Sequence, residues 1–120
     1  MKREILFRGL CKDGQGWLYG DLHQWKGNVN ILPHNGREWA KPNNFEVIPE
    51  TVGQFTGLLD KDGTKIFEGD KLRYINFDSY TYIGNVTFNL GSFFIDGGIN
   101  EFMSEGYCNE MEVIGNVHEQ

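Results

Sequence analysis

Short runs of alternating apolar and polar residues, punctuated by glycine, fill this chain of 120 residues from end to end. Ile5-Leu6-Phe7 reads as a first strand, and Lys12-Asp13-Gly14 as the turn after it, because Asp braces a turn and Gly supplies a positive φ. Trp17-Leu18-Tyr19 is a second short strand, closed by Gly20-Asp21. Leu22–Trp25 and Val29–Leu32 flank Lys26-Gly27-Asn28 as a hairpin. Pro33–Gly36 is a loop, Arg37–Asn44 is polar and interrupted by Pro42, and Phe45–Ile48 is a strand stopped by Pro49. Beyond it, Asp60–Gly63 is a turn, Lys65-Ile66-Phe67 a short strand, and Leu72–Phe77 with Tyr82–Phe88 a longer hairpin around Asp78-Ser79. Gly84, Val86 and Phe88 share one face of it by the two-residue period of a strand. Ser92–Ile95 is a further strand, Asn100–Met111 the best helix candidate although Gly106 weakens it, and Val113-Ile114 with Val117 completes the pattern.

Part of this pattern occurs twice. Residues 7–21, FRGLCKDGQGWLYGD, align with residues 55–70, FTGLLDKDGTKIFEGD, with one insertion in the second copy. Eight positions are identical, among them Phe7/Phe55, Gly14/Gly63, Gly20/Gly69 and Asp21/Asp70, where about one match is expected at ordinary amino-acid frequencies. Glu46-Val47-Ile48 and Glu112-Val113-Ile114 echo each other downstream. The repeat predicts two related β units, residues 1–52 and 53–120, sharing one mostly β architecture with at most one short helix near the C-terminus. The second unit carries extra residues between Gly91 and Met111, and its order of elements resembles small SH3-like barrels.

Composition narrows the function classes. Net charge is −6 and the pI about 4.9, which disfavours phosphate-backbone binding as the main activity. The two cysteines, Cys11 and Cys108, stand in no metal-ligand spacing. With no signal peptide and no apolar run long enough to span a bilayer, they point to reduced thiols in a cytoplasmic protein, a Cys11–Cys108 bridge being the alternative.

The segment Pro49–Leu58, with Lys61-Asp62-Gly63 and Ile66–Asp70, resembles the signature of the YopX family. Glu112–Glu119 is similar to that family's closing segment, and Arg3–Gly9 with Trp17, Tyr19, Gly20 and Asp21 to its opening. The resemblance implies a small, mostly β protein of phages and prophages of Gram-positive bacteria. It implies no catalytic residues, because the family has no established activity.

The residues themselves point to binding. Asp13, Asp21, Asp62 and Asp70 recur beside glycines, where turn chemistry accounts for them; a hydrolase using them as acid and base is the alternative. His23, His34 and His118 have no zinc spacing, and no cofactor is predicted. The candidate interface is aromatic: Tyr74, Phe77, Tyr80 and Tyr82 on the long hairpin, with Trp25 and Trp39 in polar surroundings. The expected partner is another protein or a second copy of the chain, with no membrane. Nucleic acid at the SH3-like unit, through Lys61, Lys65, Lys71 and Arg73, is the alternative.

Overall fold

A computed structural model describes residues 4–14, 16–34, 45–75, 80–89, 91–97, 101–103, 108 and 110–118. The chain divides into two units, Met1–Phe55 and Thr56–Gln120. Among the described residues the one helical run of three residues or more is a 3-10 turn at Pro49–Thr51, and the chain is mostly β as its sequence predicts.

In the first unit, β1 (Phe7–Leu10), β2 (Trp17–Trp25) and β3 (Asn28–Leu32) form an antiparallel meander. The start of β4 (Gly53–Leu59) pairs on the other side of β1, Phe7 opposite Gln54. Glu46-Val47 makes single bridges, Cys11 to Val47 and Asn30 to Glu46, rather than a full strand. Leu6, Cys11, Ile31, Phe45, Val47 and Phe55 are buried in this unit. The 3-10 turn is fastened by Thr51, whose Oγ1 accepts from Leu10 N at 2.8 Å and donates to Ile48 O at 2.6 Å.

The second unit continues β4 and adds β5 (Lys65–Phe67) beside it. Then follow β6 (Asp70–Ile75), β7 (Thr81–Asn89), β8 (Ser92–Gly97), β9 (Glu101–Phe102) and β10 (Met111–Asn116), in the spatial order β10-β6-β7-β8-β9. Ile66, Leu72, Val86, Ile95, Cys108 and Met111 form its core, all at 1% exposure or less. Burying an aliphatic side chain of this size contributes about 1.5–3 kcal/mol. The predicted helix over Asn100–Met111 is overturned at both ends: Glu101–Phe102 pairs with β8, and Met111 opens β10 opposite Tyr74. Cys11 and Cys108 are both buried and not bridged.

The repeat survives as geometry in one place and diverges in another. Gly14 and Gly63 hold φ of +84° and +82°, in turns closed by Gly14 N to Cys11 O and Gly63 N to Asp60 O. Each turn then reaches the closing segment of its own unit, Lys12 N donating to Glu46 O at 3.0 Å and Lys61 N to Met111 O at 2.9 Å. Gly69-Asp70, however, breaks the chain between β5 and β6, whereas Gly20-Asp21 lies inside β2. The expectation of a short strand closed at Gly20-Asp21 is therefore wrong. Gly20 is needed for space: a Cβ there would stand 2.0 Å from the Leu32 carbonyl oxygen.

Candidate functional site

The predicted aromatic set resolves into separate places. Tyr74 on β6 lies opposite Tyr82 on β7, their rings stacked at 6.4 Å and 25°. Tyr80, just before β7, is 66% exposed, and Tyr82 is 38% exposed. Alternation places Tyr74 and Tyr82 on the face that carries buried Leu72, Gly84 and Val86 further along. Ile75 and Ile83, both about half exposed, occupy the other face of the same hairpin end. This end of β6–β7 thus shows apolar side chains on both faces. The neighbouring charges are neutralised, because Arg73 forms an ion pair with Glu112 across β6–β10. Phe77 lies outside the described residues, as does Trp39. Trp25 belongs to the first unit, at the end of β2, and is 61% exposed.

The aspartates do different jobs at matching places. Asp70 is buried and its Oδ2 accepts from Phe67 N at 2.8 Å, bracing the turn between β5 and β6. Asp21 is exposed and meets His34 Nε2 at 3.0 Å. Asp13 Oδ1 lies 2.8 Å from Cys11 Sγ, a thiol donor. Asp60, which opens the predicted turn at Asp60–Gly63, does more than the sequence shows. It is 4% exposed; its Oδ1 accepts from Asp62 N and Thr64 N, and its Oδ2 accepts from Val113 N at 2.9 Å. It closes its own turn and ties that turn to β10. An Asp at the first position of a turn ending in Gly was its signal. Among the described residues no three His, Cys, Asp or Glu side chains converge as metal ligands, and no helix is long and apolar enough to cross a membrane.

Charge is divided unequally. Residues 1–55 carry seven Lys and Arg against six Asp and Glu, a net +1; residues 56–120 carry four against eleven, a net −7; together these make the chain's −6. The acidity that the composition reports belongs to the second unit alone.

No curated protein matches the chain. Among solved structures it is similar to the crystal structure of protein EF1440 from Enterococcus faecalis, with a TM-score of 0.53 and 22% identity over 98% of this chain and 96% of that one. At that identity the likeness is one of fold. The family model described as YopX protein matches residues 6–120, and the chain therefore belongs to the YopX family.

Proposed function

We propose that this protein is a phage or prophage accessory factor that works in the host cytoplasm by binding another protein through the turn end of the β6–β7 hairpin. The observation that carries the reading is the pairing of exposure with order at that end. Tyr80 and Tyr82 are exposed, yet Tyr82 is held in place by its stack on Tyr74. Pre-placed aromatic rings are the usual anchors of protein interfaces, since they bury much area and lose little conformational freedom. The second unit's net charge of −7 favours a partner with a basic surface. The same charge opposes two copies meeting through this unit, so self-association is the weaker form of the proposal.

Affinity capture from host lysate with the wild type and with a Tyr80→Ala/Tyr82→Ala double variant tests it. A protein retained by the wild type and lost on the double variant is the expected result, because interface anchors of this kind are worth about 2 kcal/mol or more each. Capture of the same proteins by both would remove the hairpin from the interface. Light scattering across a concentration series reads the self-association form, which a monomer at every concentration rules out.

A further inference from the structure

The first unit carries a second surface that its sequence concealed. Because β2 is one uninterrupted strand of nine residues, Trp17, Tyr19, Asp21, His23 and Trp25 all project from the same face. Tyr19 is 47% exposed and Trp25 61%, and His23 is exposed between them. From Tyr19 to Trp25 is about 20 Å at roughly 3.3 Å per residue. Across β3 on this face, Asn30 lies opposite His23 and Asn28 opposite Trp25, with Leu32 opposite Asp21.

The face also places cations beside its rings. Lys26 Nζ lies 5.6 Å from the centre of the Trp25 ring, and Arg8 Cζ lies 4.8 Å from that of Trp17. Two carboxylates share the face, Asp21 and Glu46. Each is held by a neighbour, Asp21 by His34 at 3.0 Å and Glu46 by Lys12 Nζ at 2.7 Å. From Leu22 to Ile31 there is no acidic residue at all.

The backbone at the tip adds an independent sign. Lys26 and Gly27 hold φ of +48° and +83° in a two-residue hairpin loop. Such loops prefer Asn-Gly, and a lysine in the left-handed region is strained. The tip thus spends stability to hold a cation beside an exposed indole.

We propose that this face of β1–β2–β3 binds single-stranded nucleic acid, with unpaired bases stacking on Tyr19, His23 and Trp25 and phosphates meeting Lys26. Aromatic side chains in a row on a sheet stack bases of any sequence, and a duplex offers no free base faces to them. The length suits about four nucleotides, the lower end of known single-strand sites. A net charge of +1 on this unit removes the objection that the whole chain's charge raises. The amides of Asn28 and Asn30 lie beside the rings, where base edges would come.

Fluorescence anisotropy with fluorescein-labelled dT15 and U15 at 100 mM salt tests the proposal on the intact chain. Both are expected to bind, and the tighter of the two identifies the natural polymer. Trp25→Ala is expected to weaken binding roughly 5- to 150-fold, the range that one base stack carries, while Trp25→Phe keeps most of it. Lys26→Asn relieves the turn, so thermal stability rises, yet binding weakens and the slope of log affinity on log salt falls by about 0.7. No binding of either oligonucleotide, or binding untouched by Trp25→Ala, overturns the proposal. So does a protein ligand lost on Trp25→Ala in a chain that takes no oligonucleotide.

Discussion

Asp60 shows how much a single carboxylate can do without chemistry. Three backbone N–H groups converge on it, two from its own turn and one from β10, 53 residues later. Replacing it with Ala removes three part-buried hydrogen bonds to a charged acceptor, and such a bond contributes about 1 kcal/mol or more. Asp60→Ala is therefore expected to lower the unfolding free energy by about 3 kcal/mol or more. Asp60→Asn retains an acceptor for Asp62 and Thr64 but turns an amide donor toward Val113 N, so about half of that loss is expected. Urea titration checks both; Asn equal to Ala would mean that the bond to β10 carries the whole effect. The turn at Asp60 was legible in the sequence, because Asp and Gly at the first and fourth positions are turn residues. The long-range bond was not, since nothing local at residues 60–64 encodes where β10 returns.

At the scale of elements, the Gly-Asp pair that occurs twice is the instructive case. Local chemistry at Gly20-Asp21 and Gly69-Asp70 is the same, and turn propensity alone assigns both to turns. Tertiary packing separates them. Gly69 takes φ +94° between β5 and β6, while Gly20 lies flat in β2 because the Leu32 carbonyl passes where a Cβ would be. The two sites are expected to respond differently. Gly69→Ala suffers backbone strain of about 1–2 kcal/mol, which Asn at the same site relieves in part because Asn tolerates positive φ. Gly20→Ala meets backbone rather than a movable side chain, and Asn there is no better. Thermal unfolding of the four variants distinguishes the cases; relief by Asn at residue 20 would mean that Gly20 is kept for its dihedrals. Reading Gly20-Asp21 as a turn also cut the β2 stripe in two, which is why Tyr19, His23 and Trp25 did not stand out as a set. Most strands, the Lys26-Gly27 hairpin and the aromatic end of β6–β7 were legible from alternation and turn residues; β4 was not, and Phe45–Ile48 reads as a strand but makes only isolated bridges. The β9 pairing was not, for a strand of two residues carries too little pattern to show.

At the scale of the whole molecule, a sheet face of exposed aromatic rings with Lys26 at its tip and a unit of net charge −7 belong to one chain. That union has a measurable electrostatic consequence. At about 10 mM salt the Debye length is near 30 Å, so a polyanion meets the chain's whole net charge of −6. At about 100 mM it is near 10 Å, and the oligonucleotide feels mainly the face it touches. Beyond that, salt competes with Lys26 and its neighbours for phosphate in the usual way. Affinity for dT15 is therefore expected to rise between 10 and 100 mM salt and fall above it. A uniformly basic nucleic-acid-binding protein loses affinity over the whole range. Anisotropy titrations at four or five salt concentrations trace the curve. A monotonic fall from 10 mM would show that the local charge of the binding face, and not the net charge of the chain, sets the affinity at every salt concentration.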